Sequence, residues 1–142
     1  MAESTDPTSE VVSFLNEYYR AFSRAGRELD VPAILPYFLE PSLLIGPLGA
    51  AAAPTHVELG AILKPPLENL RAGGYHRSEL TSLQLKPLSA STVLANGVAI
   101  RYKADGQELN RAGVLYVLQR AGGGWKIAVL VTHDSDKAPR LA

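Results

Sequence analysis

The chain has 142 residues, enough for one domain with a real hydrophobic core, and at 46% apolar and 20% charged it has the make-up of a folded globular protein. Fourteen basic residues balance fourteen acidic ones, which removes the net attraction on which non-specific nucleic-acid binding depends. With no cysteine, disulfides, thiolate nucleophiles and thiolate metal sites are all excluded.

The segment Met1–Asp6 carries two acids and neither a basic nor an apolar stretch, so no secretory signal is expected. No apolar run approaches the roughly 20 residues that span a bilayer. A cytoplasmic protein without membrane or nucleic-acid partners is the expectation. The first helix is announced by Asp6-Pro7, a capping residue followed by proline at the first helical position. Val11, Phe14, Leu15, Tyr18, Tyr19 and Phe22 then recur at three- and four-residue spacing and form one apolar stripe. Gly26 is the expected stop. A short second helix is expected from Asp30 to about Phe38, with Ile34, Leu35 and Phe38 as its apolar set.

Residues 41–54 hold three prolines, two glycines and four consecutive alanines around Leu43-Leu44-Ile45, which reads as a short strand followed by a loop. Thr55-His56-Val57-Glu58 has the spacing of a capping box and opens a third helix. Leu59, Ile62, Leu63, Leu67 and Leu70 supply its buried face, Pro65-Pro66 is expected to kink or split it, and Gly73-Gly74 to end it.

After Gly74 the period changes. Strands are expected over Tyr75–Leu85, Thr92–Ala104, Glu108–Arg120 and Trp125–His133, with Asp105-Gly106 and the triple glycine 122–124 as turns. The residues after Asp134 are expected to form a frayed tail. Helices first and four consecutive antiparallel strands afterwards make a segregated α+β domain, with one domain over 1–142 and its core at about 8–134.

A two-residue turn at Asp105-Gly106 sets Lys103 opposite Glu108 and Tyr102 opposite Leu109. A turn centred on Gly122-Gly123 sets Arg120 opposite Trp125 and Tyr116 opposite Val129. One face of the last two strands then collects Val114, Tyr116, Leu118, Trp125, Ile127, Val129, Val131 and His133. The other collects Leu109, Arg111, Leu115, Val117, Ala128, Leu130 and Asp134, with Arg111 opposite Asp134. Both are apolar. The first is expected to face the helices, and the second, exposed in a monomer, to form a homodimer.

This order of elements, with Tyr19-Arg20-Ala21-Phe22-Ser23-Arg24-Ala25-Gly26 near the start and Gly123-Gly124-Trp125-Lys126-Ile127 near the end, resembles the nuclear transport factor 2-like superfamily. That superfamily includes ketosteroid isomerase, scytalone dehydratase and the polyketide cyclases; within it the chain resembles small bacterial SnoaL-like proteins of unassigned activity. The resemblance covers roughly residues 8–134. It implies a cone in which N-terminal helices lie across a curved, mostly antiparallel sheet around an apolar pocket. Compared with ketosteroid isomerase, Tyr19 matches the helical oxyanion-hole tyrosine and Tyr116 falls on the protonated aspartate. Pro47-Leu48-Gly49 matches the turn that follows the catalytic base, but the base position is Gly46, so isomerisation by that mechanism lacks its proton acceptor.

The expected pocket comprises Leu15, Tyr19, Phe22, Phe38, Tyr116, Val129, Val131 and His133. A small apolar ligand held without chemistry is one reading. The other is an isomerase, dehydratase or cyclase in which Tyr19, Tyr116 and His133 supply acid–base groups, in the manner the scytalone dehydratase resemblance implies. His56 and His76 lack the spacing of a helical metal-binding pair and read as structural or surface residues. The triple glycine is followed by neither a helix nor a lysine in phosphate-loop order. No metal and no cofactor is expected.

Overall fold

The computed structural model describes residues 7–141. Helix α1 spans Pro7–Glu28 and buries Val11, Leu15 and Tyr18 along one stripe. The expected cap, Asp6, and the segment Met1–Asp6 lie outside the described residues. The helix does not stop at Gly26. It runs on to Glu28 and closes at Leu29, a non-glycine residue at φ 56°, with the Asp30 amide donating to the Ala25 carbonyl at 3.0 Å. Gly26 serves another purpose: a Cβ there would lie 2.4 Å from the Tyr75 ring, which packs against the helix at that point.

The second helix expected over 30–38 is replaced by two single 3-10 turns, Val31–Ala33 and Leu35–Tyr37. Pro32 and Pro36 suit the start of a turn but cannot donate to a longer α-helical ladder. Phe38 already belongs to strand β1, Phe38–Gly46, which pairs in a hairpin with β2, Gly49–Ala53. The alanine run is therefore an edge strand and not a loop.

Helix α2, His56–Ala72, opens on the capping box, with the Thr55 side chain accepting from the Val57 amide and Glu58 accepting from the Thr55 amide at 3.0 Å. It runs unbroken through Pro65 and Pro66, both of which lie on its exposed side, and buries Leu59, Leu63, Leu67 and Leu70. Four long strands follow: β3, Tyr75–Ser89; β4, Thr92–Lys103; β5, Glu108–Ala121; β6, Gly124–His133. The sheet has the order β2-β1-β6-β5-β4-β3, antiparallel except where β1 runs parallel to β6. Helices α1 and α2 lie on its concave face, and the core of Leu15, Tyr18, Ile34, Phe38, Leu118 and Ile127 fills the closed end between them. Among the described residues no helix is long and apolar enough to cross a membrane.

Two bulges separate the strand faces from the expected ones. At the Asp105-Gly106 turn, the Lys103 amide bonds the Gln107 carbonyl across a three-residue loop with Gly106 at φ 89°. Tyr102 therefore pairs with Glu108, Leu109 is left over, and only from Arg101 opposite Asn110 does the ladder follow the expected register. At the other turn Gly122 and Gly123 both have positive φ, and Arg120 faces Trp125 as the turn chemistry predicts. Two pairs further on, Ala128 is left over, so Tyr116 faces Leu130 and Gly113 faces His133. One extra residue flips everything beyond it to the opposite face. Leu130 and Thr132 turn inward, while Val129, Val131 and His133 turn outward.

The expected Arg111–Asp134 pair does not form; Arg111 instead bonds Glu108 on its own strand, Nε to Oε2 at 2.8 Å. The tail after Asp134 is not frayed. It forms a 3-10 turn at Ser135–Lys137 and crosses the outer face, where the Asn96 amide donates to the Pro139 carbonyl at 2.7 Å and the Leu141 amide donates to Gln84 at 3.1 Å.

Candidate functional site: a cone-shaped cavity between helices and sheet

Tyr19 stands on the sheet-facing side of α1, and Tyr116 on the inner face of β5. Their hydroxyls meet at 2.7 Å. Around this pair a crevice of about 40 Å³ is lined by Tyr18, Phe22, Ala99, Val114, Leu130 and Thr132, among others. Burial in these apolar surroundings penalises the phenolate, pushing Tyr19 up to about 12 and Tyr116 well above the ordinary tyrosine value. Tyr18, buried and ringed by Tyr19, Phe22, Tyr37, Phe38 and Tyr116, is raised for the same reason. At neutral pH these phenols are neutral donors and not bases.

The crevice shares Phe22, Arg101, Leu130 and Thr132 with a much larger cavity of about 610 Å³ that opens outward. Its far wall is α2, through Ile62, Leu63 and Pro66; its lip is the β1–β2 turn, where Leu48 is fully exposed. The floor is the inner face of the sheet, with Ala112 and Asn110 on β5 and Arg101 on β4. A volume in this range, with mostly apolar walls and a few convergent polar groups, is what small-molecule sites require.

Of the residues singled out from the sequence, Tyr19, Phe22 and Tyr116 are brought together in this space. Leu15 and Phe38 are each about 1% exposed and belong to the solid core beneath it. Val129, Val131 and His133 are carried to the outer face by the bulge at Ala128, so a triad of Tyr19, Tyr116 and His133 does not exist. The His133 ring lies against Gly113, where a Cβ would come within 2.0 Å of it, and its Nδ1 is 2.7 Å from the Asp134 carbonyl oxygen. His56 is structural: its Nε2 is 2.8 Å from the Phe38 carbonyl oxygen, tying the start of α2 to β1. Gly46, the position matching the ketosteroid isomerase base, does border the cavity, and a Cβ there would lie 3.0 Å from the Thr132 hydroxyl.

Arg101 was not anticipated. It sits on a strand whose other inward residues, Val93, Ala95, Gly97 and Ala99, are apolar or small. That contrast is the one signal by which the sequence marks it. Trp125 caps the opposite end of the sheet, donating from Nε1 to Glu10 at 2.9 Å beneath the Arg120 guanidinium, which Glu10 also holds at 2.9 Å. Among the described residues no group of three or more His, Asp or Glu side chains is placed to share a metal ion.

Comparison with solved structures identifies the cone. A protein of unknown function with a cystatin-like fold from Nostoc punctiforme superposes with a TM-score of 0.70 at 14% identity, over 97% of this chain and 98% of that one. An NTF2-like protein from Novosphingobium aromaticivorans gives a TM-score of 0.70 at 16% identity, over 92% and 83% of the two chains. Aln2 from a Streptomyces species gives 0.66 at 17%, over 94% and 96%. At these identities the likeness is one of fold. No curated protein matches the chain. The family model of the NTF2-like proteins designated DUF6841 matches residues 9–135, nearly the whole described chain, and the protein belongs to that family.

Proposed function

We propose that the protein binds a small, largely apolar molecule in the cone, and that it does so as a homodimer joined through the outer sheet face. The observation that carries the binding reading is that the 610 Å³ cavity shares a wall with the Tyr19–Tyr116 crevice, which gives an apolar body a place beside a hydroxyl pair with one O–H left free to donate. An acid–base enzyme is the weaker reading. His133 lies on the opposite face, both tyrosines hold their protons, and among the described residues no carboxylate lines either space. A proton-abstracting step therefore has no acceptor there.

Fluorescence titration with the neutral apolar probe N-phenyl-1-naphthylamine tests the binding reading. Saturable binding is expected, and Ala112→Phe, which fills the floor of the cavity, should weaken it by roughly tenfold or more. No saturable binding, or equal binding by a folded Ala112→Phe variant, would remove this reading.

A further inference from the structure

Arg101 is a cation set inside an apolar cone. It projects from the inner face of β4 at the junction of crevice and cavity and helps to line both. Its Nη1 donates to the Asn110 side-chain oxygen at 3.2 Å, but its Nε is buried and has no hydrogen-bond partner. Arg101 makes no ion pair among the described residues, and neither Asp nor Glu lines the space it faces. The hydroxyls nearby, on Tyr19, Ser78, Tyr116 and Thr132, are neutral, and among the described residues no acidic side chain lines either space to balance the charge.

A guanidinium does not escape by losing its proton. The Asn110 side of the guanidinium reaches solvent, but a buried donor left unpaired is costly. Native interiors accept this where a ligand completes the site. The fork of a guanidinium matches a carboxylate with two parallel N–H···O bonds. The remaining surroundings (Phe22, Leu63, Leu109, Ala112 and Leu130) are apolar and extend outward to the exposed lip at Leu48. One positive group at the inner end and a long apolar channel behind it define a single ligand class.

We propose that Arg101 anchors the head group of an amphipathic monocarboxylate, whose apolar body fills the cavity between α2 and the sheet. The proposal rests on the binding reading above and adds the charge of the ligand to it. The carboxylate takes the unpaired Nε, with the Thr132 and Tyr19 hydroxyls within the same lining, and the chain leaves toward Leu63 and Leu48.

Displacement of N-phenyl-1-naphthylamine by decanoate and by 1-decanol, compounds matched in length, tests it at neutral pH. In the wild-type protein decanoate should compete roughly tenfold better than the alcohol, as a charge-assisted pair replaces a neutral contact. Arg101→Gln should rank acid and alcohol equally, and Arg101→Lys should keep part of the preference. Equal competition in the wild-type protein overturns the proposal, and that measurement stands whether or not the variants fold. A preference unchanged in Arg101→Gln overturns it too. If the probe binds but the acid has no advantage, only the anchoring role falls; if the probe does not bind, the binding reading falls with it.

Discussion

The Tyr19 and Tyr116 hydroxyls share one 2.7 Å hydrogen bond, which ties helix α1 to the centre of the sheet within a mostly apolar crevice. Because each hydroxyl is the other's partner, removing one leaves the second buried and unpaired. Tyr19→Phe should fold and should lower stability by about 1–2 kcal/mol. Tyr19→Phe combined with Tyr116→Phe should cost less than the two single changes added together, since the double variant leaves no orphan. Urea unfolding of the four proteins measures this. Strict additivity would mean that the bond contributes nothing.

The same burial fixes a response to alkali. Tyr19 and Tyr116 have folded-state pKa values raised above those of the unfolded chain, Tyr19 to about 12. Protons are thus held more tightly in the folded state, and the stability this brings is fully present below the unfolded value, near pH 10. Above that pH the unfolded chain ionises first, and stability should fall by about 1.4 kcal/mol per pH unit for each such tyrosine. Thermal unfolding followed from pH 8 to pH 12 should show a plateau and then a decline beginning near pH 10. In the double phenylalanine variant the decline should be shallower.

Gly26 is held by packing and not by a turn. The ring of Tyr75 lies where a Cβ would project, at 2.4 Å, and Tyr75 is itself fixed by its hydroxyl, 2.6 Å from Ser78. Ser23, one turn earlier, accepts from the Ser78 amide at 3.1 Å and locks the same helix–strand contact. Gly26→Ala gains helix propensity but overpacks this seam, and a net loss of about 1–3 kcal/mol is expected in chemical denaturation. Gly26→Ala together with Tyr75→Leu should recover part of that loss, which a purely helical effect would not.

How much of this was legible in the sequence follows from where the signals are local. The apolar stripe of α1, the capping box at Thr55 and the glycine turn at 122–124 each lie within a few residues, and each structure follows from them, whereas the Asp105-Gly106 turn holds one residue more than its sequence suggests. The fold class followed from their order; the helix-one stripe carried Tyr19 and Phe22, the hairpin register carried Tyr116, and the resemblance to the NTF2-like cone set those two surfaces against each other. The bulge at Ala128 left no such mark. From Ile127 to Val131 every residue is apolar, so alternation could not show which face each one takes, and one slipped residue sent Val129, Val131 and His133 outward. The Gly26 seam depends on Tyr75, 49 positions away, which no local pattern records. Arg101 was missed because an arginine in a strand ordinarily reads as a solvated residue, whereas its register on β4 sets it on the cavity side opposite Asn110.

That bulge also redraws the surface through which the proposed homodimer would form. Leu130 turns inward and leaves the outer face, while Val129 and Val131 join it beside Leu115 and Val117. The C-terminal segment crosses that face at Asn96, the cross-strand neighbour of Leu115, through the bond to Pro139. The apolar ground it leaves lies toward Val117, which is flanked by Leu94 on β4 and Val129 on β6. All three are only half-buried in the single chain. A second copy laid on this ground removes apolar surface from water on both chains at once, which is the term that drives association. A glutamate placed there must lose its hydration on joining the partner, and across a two-fold axis it meets its own copy. Val117→Glu should therefore shift the protein from dimer to monomer in light scattering at micromolar concentration, with circular dichroism unchanged. Lys126→Glu, at the rim of the same face, should leave the dimer in place. A wild-type protein that scatters only as a monomer of 15.2 kDa, or a Val117→Glu variant that remains fully dimeric, would show that this face is not the interface.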